Sequence, residues 1–485
     1  MPSGRQMLFL LASLSTVLVV LTLFTHRDVY THALDNLPVG NNKLAKEAPR
    51  PRYKPQPDYL PPPIKDNFPL LQTITKPPPI PKWNIPKPDL YKDLDLPVAP
   101  PLLIGFTRSW PLLLQAVVSY ITAGWPADQI YVVENTGVQQ ANARGQLTLQ
   151  NPFYLNHTSL KTLGVNIIQT PTLLSFAQLQ NFYLSLSYTH KWPYYFWSHM
   201  DVLALSYEDG HEFTPRYYEE GYQSLYALAL RALRDARSND PRWGLRFFAY
   251  DHLALVNPVA YEDVGGWDTL IPYYITDCDM HSRLGMRNWT MLDAKAGIIT
   301  DVSTTLDDLA ALYRVDGVEA SFTDPNPPAP KGDARKLLGK RDLDTKIVEN
   351  MLYGLARHEH RVWRKFPSLL VAPRDRVNVY RDEGEDPNLS LWRGLVRTAD
   401  TMFHYKHGNR GRNTWQLGQH GGQGEPFYYD AAGLAEAIEL ATENGKEVYR
   451  RKWGHRDCDL RTGAGLRFTD QWRVEKDWEK KHKKK

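Results

Sequence analysis

Short apolar runs that stop on polar clusters recur through the middle of this chain, separated by stretches of helical periodicity. Residues 102–106 (LLIGF) form one such run, closed by Thr107-Arg108-Ser109. Pro111 then stands in the first turn of a segment that places Leu112, Leu113, Ala116, Val117, Tyr120 and Ile121 on one face, and Gly124 and Pro126 end it. That spacing predicts a helix. Residues 130–133 are a second apolar run, ending on Glu134-Asn135-Thr136-Gly137. Strand, helix and strand with tight connections make a βαβ unit, and hence a parallel sheet with a right-handed crossover. Residues 165–169 read as a third strand, and residues 175–188 as the helix after it.

Residues 194–202 (YYFWSHMDV) read as one strand buried in a parallel sheet, stopping on His199-Met200-Asp201. Ligands of open α/β sheets bind beyond the carboxyl ends of such strands. His199 and Asp201 are two residues apart and so point the same way along a strand. Carboxylate and imidazole could together hold a divalent cation, although a solvated strand end explains the same residues. Further on, residues 222–233 read as an amphipathic helix, and residues 245–250 and 253–256 as strands. Val264-Gly265-Gly266-Trp267-Asp268 is a turn with backbone freedom. Thr276-Asp277-Cys278-Asp279 opens a helix, where capping accounts for one aspartate and leaves the second surplus. Beyond Asp301 the pattern weakens. Ile347, Val348, Met351, Leu352 and Leu355 share a helical face, and residues 430–445 read as a helix with Asp at its start and Gly past its end. His404, His407, Gly408, Asn409 and a glycine-rich loop around His420 lie between them.

Composition changes this picture at the ends of the chain. Residues 7–24 are uncharged, apolar and just long enough to cross a bilayer. Arg5 before them favours an inside N-terminus, and no small-x-small cleavage site comes after Phe24, so an uncleaved anchor is expected rather than a signal peptide. Nearly half of the 36 prolines fall between Ala48 and Pro101, a composition that favours extended polyproline conformation and suits a stem. The layout expected is a cytosolic tail (1–6), a transmembrane anchor (7–24), a stem (25–98), a core (99–305) and a C-terminal extension on the acceptor side (306–485). Sequons at Asn156, Asn288 and Asn388 are compatible with a lumenal core. Cys278 and Cys458 are the two cysteines; a lumen would let them pair, but a chain of 485 residues does not need the bond, and both states stay open. The net charge of +4 is small and dispersed, which argues against nucleic acid.

Taken in order, these blocks resemble glycosyltransferases of the GT-A fold, most closely the family 2-like group, over residues 102–301. IYVVENTG (130–137) looks like the family's second strand, with Glu134 in place of the usual Asp that contacts the base or ribose. SFAQLQN (175–181) is similar to its helix start, ending on Asn181. SHMDV occupies the place of the Asp-x-Asp motif, with His199 standing where the first Asp belongs. VGGWDTLIPYYITDCD (264–279) looks like the block that carries the catalytic base. The resemblance implies a mixed, mainly parallel, Rossmann-like sheet flanked by helices. It also implies transfer of a sugar from a UDP- or GDP-sugar to an acceptor hydroxyl on a glycan, glycoprotein or glycolipid. In that reading Asp277 is the base, Asp279 assists it, and the anomeric carbon is inverted. His199, Asp201 and His407 would hold Mn²⁺ or Mg²⁺ against the diphosphate. Thr107, Glu134, Asn181, Gly266, Trp267 and Asp268 would contact substrate. Family habit places such an anchored protein in the membrane of the Golgi or endoplasmic reticulum, with its catalytic domain lumenal. The alternative is a lumenal protein that keeps the fold without the catalysis and acts as a sugar-binding or scaffold protein. A nucleotide-sugar hydrolase or pyrophosphorylase is a more distant third.

Overall fold

The structure is a computed structural model that describes residues 51–53, 63–212, 214–323, 386–408, 419, 421–426 and 430–478. The chain divides into two compact units, residues 1–59 and 60–485. Of the first unit only residues 51–53 are described; every strand and helix named here belongs to the second. The expected tail and anchor (1–24), the helical face at 347–355, Asn409 and His420 lie outside the described residues. Among the described residues no helix is long and apolar enough to cross a membrane.

The strands in chain order are β1 (Leu102–Phe106), β2 (Ile130–Glu134), β3 (Asn166–Gln169), β4 (Tyr195–Ser198), β5 (Val202–Leu205), β6 (Asp209–His211), β7 (Thr214–Arg216), β8 (Trp243–Phe248), β9 (Leu253–Val256), β10 (Thr290–Ala294) and β11 (Ile298–Asp301). Seven of them build one sheet in the order β10-β8-β9-β4-β1-β2-β3. It is parallel except for β9, which runs against both β4 and β8. Period-two alternation divides its side chains between two cores. Leu102, Ile104, Phe106 and Phe196 face the larger one, whereas Leu103, Tyr195 and Trp197 face the smaller. The helices include α1 (Trp110–Thr122), α2 (Phe176–Thr189), α3 (Leu225–Asn239), α4 (Pro258–Asp263), α5 (Thr276–Met286), α6 (Pro387–His407) and α7 (Ala431–Trp453). The fold is thus a mixed α/β one with a mainly parallel sheet flanked by helices.

Three sequence expectations change. First, residues 63–98 are not a free stem: Phe68, Leu71 and Leu96 are buried in the larger core. Short helical turns at Pro69–Gln72, Lys82–Asn84 and Leu90–Asp93 replace the extended polyproline conformation expected there, and the apolar residues between the prolines supply the burial. Asn67 donates to the carbonyl of Pro111 at the start of α1 (3.1 Å), and Asn84 donates to that of Thr122 at its end (2.9 Å). With this strap on one side and the sheet on the other, α1 buries nearly its whole circumference rather than a single face.

Second, residues 194–202 are not one strand. β4 stops at Ser198, and β5 leaves the main sheet to pair antiparallel with β11, Val202 opposite Asp301. Third, α7 does not end at Gly445 but runs through it to Trp453, where Gly454 closes it at φ +60°. A Cβ at Gly445 would lie 2.8 Å from Cδ of Pro272 and 3.3 Å from Cα of Ile271. This glycine serves close helix–loop packing rather than helix termination. The pairing left open is also decided: Cys278, in the first turn of α5, is bonded to Cys458 just past α7.

Denaturant unfolding checks both packing claims. Phe68→Ala is expected to lower stability by about 3–5 kcal/mol, the usual loss for a fully buried aromatic, whereas a true linker residue would cost nothing measurable. Gly445→Ala should also destabilise, because a clash of about 1–3 kcal/mol outweighs the gain of about 1 kcal/mol in helix propensity.

Candidate functional site

β1, β2, β4 and β8 all point their carboxyl ends to one edge of the sheet. The turn after β8 organises that edge. Ala249 (φ 55°) and Tyr250 (φ 59°) are successive left-handed residues, a conformation that side chains avoid and that collects at functional sites. Tyr250, Asp251 and His252 each address a different partner. The Tyr250 hydroxyl donates to Asp277 Oδ2 (3.0 Å). Asp251 Oδ2 lies 3.6 Å from His199 Nε2. The carbonyl of His252 accepts from Ser198 Oγ (2.8 Å) and from the His199 amide (3.1 Å), and its ring reaches within 3.7 Å of Asp301 Oδ2. The end of β4, the end of β11 and the start of α5 are thereby joined.

His199 and Asp201 lie in the turn between β4 and β5, with His199 Nδ1 3.7 Å from Asp201 Oδ1. The β5–β11 pairing places Asp301 beside Asp201, and the Val302 amide donates to the Asp201 carbonyl (2.9 Å). From the last turn of α6, Lys406 inserts its ammonium between the two carboxylates, 2.7 Å from Asp201 Oδ2 and 2.5 Å from Asp301 Oδ1. Its third bond goes to the carbonyl of Val302 (3.2 Å). His407 packs next to it, with Nε2 3.1 Å from Asp301 Oδ2, whereas His404 is largely exposed.

Charge is set by this arrangement. Burial pulls the pKa of His199 down, but Asp251 and then Asp201 outweigh it and lift the value from 6.5 to about 10. Burial pushes Asp201 up, and Lys406 and then His199 overcome it, holding the carboxyl well below its usual range. Burial likewise opposes the charge on Lys406, while Asp201 and Asp301 keep its pKa above the ordinary lysine value. Burial holds His281, near both Asp277 and Asp251, below the usual histidine value.

The two aspartates of α5 part company. Asp279 is fully buried and spends both oxygens: Oδ2 on Arg283 (2.8 Å), and Oδ1 on Lys452 (2.8 Å) and Trp453 Nε1 (2.9 Å). It fastens α5 to α7. Asp277 is half-buried, with Tyr250 on one oxygen and no bond to the other among the described residues. Ile275, a β-branched residue at φ 72°, turns the chain so that this carboxylate starts the helix.

Several expected substrate contacts face inward. Glu134 is fully buried, and its oxygens take Asn142 (2.9 Å), Thr136 (3.3 Å), His157 (3.0 Å) and Gln169 (2.9 Å), which fills its acceptor capacity. Burial, the largest single influence, pushes its pKa up, and His157, Gln169 and Asn142 together hold it below the usual value. Asn181 clamps the turn before α5, accepting from the Trp267 amide (2.8 Å) and donating to its carbonyl (2.9 Å), while Gly266 (φ 71°) leaves room for the amide. Trp267 is buried in the smaller core. Asp268 binds Lys452 (2.8 Å) and the Leu270 amide (3.0 Å). Thr107 lies just past β1, partly exposed on the same edge.

The Mn²⁺ or Mg²⁺ suggested by the resemblance does not fit these residues. An ammonium already sits between Asp201 and Asp301, and no set of three His, Cys, Asp or Glu side chains among the described residues is arranged to hold a metal ion. Sequence reasoning missed Lys406, Asp301 and the Tyr250-Asp251-His252 turn. A signal existed for Asp301, which ends an apolar run just as Glu134 does; Lys406 has none, since nothing local marks a lysine destined for burial.

No described protein family and no curated protein matches the chain. Among solved structures it is similar to the mannosyltransferase PcManGT from Pyrobaculum calidifontis in complex with GDP-Man and Mn²⁺, at 14% identity and TM-score 0.25, over 42% of this chain and 62% of that one. A cytidylyltransferase from Leptospira borgpetersenii serovar Hardjo-bovis (strain JB197) aligns at 9% identity and TM-score 0.24, over 40% and 75%. S. aureus TarS aligns at 8% identity and TM-score 0.27, over 41% and 36%. The chain therefore spans less than two thirds of the length of both PcManGT and TarS.

The perturbed groups make stability depend on pH at both ends of the range. His199 is charged in the folded chain up to about 10 and in the unfolded chain only to 6.5. Its contribution is therefore complete below pH 6.5 and lost as pH rises toward 10. Asp201 has the opposite sign: its contribution is present above the ordinary 3.8 and lost as pH falls below it. Denaturant unfolding from pH 6.5 to 10 should show a decline that His199→Gln flattens; an equal slope in both proteins would remove His199 as its source.

Proposed function

We propose that the protein is a glycosyltransferase that moves a sugar from a nucleotide-sugar donor to an acceptor hydroxyl, with inversion at the anomeric carbon. The observation that carries this reading is the pair of differently prepared groups joined by the turn at 249–252. Asp277 keeps an oxygen available at the carboxyl edge of the sheet, and His199 holds a positive charge there. In the reaction, the acceptor oxygen bonds the anomeric carbon as the bond from that carbon to the diphosphate breaks. The acceptor proton passes to Asp277, whose other oxygen is oriented by Tyr250. The departing diphosphate carries negative charge, and the imidazolium of His199 faces it from the end of β4. One base on one face of the sugar gives direct displacement and hence inversion.

In this reading residues 7–24 anchor the chain and the core lies in the lumen of the Golgi or endoplasmic reticulum. The Cys278–Cys458 bond suits such an oxidising compartment. Asn288, exposed at φ 61° just past α5, is a sequon well placed for a glycan.

The test is turnover of UDP- and GDP-sugars by the protein, with two aspartate variants alongside. Asp277→Asn should keep the melting temperature and lose about 10²–10⁴-fold in turnover, the range for a general base. Asp279→Ala should instead destabilise by about 3–5 kcal/mol, because it strands buried cations. Failure to bind or turn over any donor, or full activity in Asp277→Asn, would remove the transferase reading.

A further inference from the structure

Asp201 and Asp301 are two buried carboxylates, 7% and 2% exposed, side by side at the ends of paired strands. Like charges held this close out of water require a cation between them. Here the cation is part of the chain. The Lys406 ammonium has three N–H donors, and each has an acceptor: Asp201 at 2.7 Å, Asp301 at 2.5 Å and the Val302 carbonyl at 3.2 Å. Its side chain is 1% exposed. An ammonium so placed covers the inner oxygens of both carboxylates and repels any divalent ion approaching the outer ones. With its donors used, it has none left for a phosphate.

We propose that Lys406 is a built-in replacement for a divalent cation: it neutralises Asp201 and Asp301, closes the position to metal, and leaves nucleotide binding independent of divalent ions. Only the last clause rests on the transferase reading. Lys406 is then a positioning residue. It offsets charge that would otherwise repel a diphosphate, and it does so only when α6 is docked against β11. His407, on the same turn, seals the outer oxygen of Asp301 at 3.1 Å.

Mn²⁺ alone, titrated calorimetrically into the full-length protein, tests the replacement. The wild type is expected to show no saturable binding below about 1 mM, near the weak end of the affinities of protein cation sites. In Lys406→Met, which has nearly the same length without the charge, Mn²⁺ should bind at least tenfold more tightly. It should also raise the melting temperature, and adding Asp201→Asn should abolish both effects. The melting shift can be read even if the variant is destabilised.

Stoichiometric Mn²⁺ binding by the wild type that is lost in Asp201→Asn would overturn the proposal, since the ammonium would then yield to metal. A Lys406→Met protein that gains neither affinity nor a melting shift would overturn it too, because the carboxylates would not form a cation site. UDP and GDP binding, compared in EDTA and in Mn²⁺, completes the test: equal affinity supports metal independence, and dependence on Mn²⁺ contradicts it. If neither nucleotide binds in either condition, the donor reading fails, while the Mn²⁺ titration still decides the role of Lys406.

Discussion

Two carboxylates cannot both remain ionised side by side in a buried position unless a positive charge lies between them. At the junction of β5 and β11 that charge is the ammonium of Lys406, and much of the site's architecture answers to it. β5 must leave the main sheet for Asp201 to meet Asp301. α6 must dock with its last turn against β11 for the lysine to arrive. The turn after β8 must accept two left-handed residues so that Asp251 and His252 face the same cluster. Removing a partner from such a group leaves an uncompensated buried charge, which costs far more than the loss of a surface ion pair.

A second buried charge cluster does comparable work on the other side of the site. Asp279, Arg283, Lys452 and Asp268 form a paired network between α5, α7 and the turn before α5, and the Cys278–Cys458 bond lies alongside it. Its consequence is a division of labour between neighbouring aspartates. Asp279 is spent on holding two helices together, which frees Asp277, two residues earlier in the same helix, to remain half-exposed with a usable oxygen. A short acidic cluster at a helix start thus contains one structural and one chemically available member, and only burial distinguishes them.

The same contrast recurs at the strand ends. Glu134 and Asp201 both close apolar runs, and both are almost wholly enclosed, one by neutral and imidazole donors and the other by an ammonium. Two residues on this edge keep partial exposure with different surroundings: His199 lies between the carboxylates of Asp201 and Asp251, and Asp277 has Tyr250 on one oxygen. Positive charge on His199 and a half-open carboxylate on Asp277 are therefore products of surroundings rather than of residue type.

The βαβ opening, the buried strands, the parallel sheet and the chemically charged edge were legible from local order, because hydrophobic period and turn residues report on secondary structure directly. Three features escaped for a shared reason. The proline-rich stretch looked like a free stem, yet Phe68, Leu71 and Leu96 bury there because the sheet and α1 offer them a surface. Residues 194–202 looked like one strand, yet β5 pairs with a strand about a hundred residues further on. Gly445 looked like a stop, yet it answers to Pro272 across the helix–loop contact. The sequence by itself determined the fold class and that polar residues close the strands at one edge of the sheet, since both arise from patterns a few residues long. Only the tertiary structure decided which carboxylates are spent, which are available and what neutralises them, because those states depend on charges brought from distant parts of the chain.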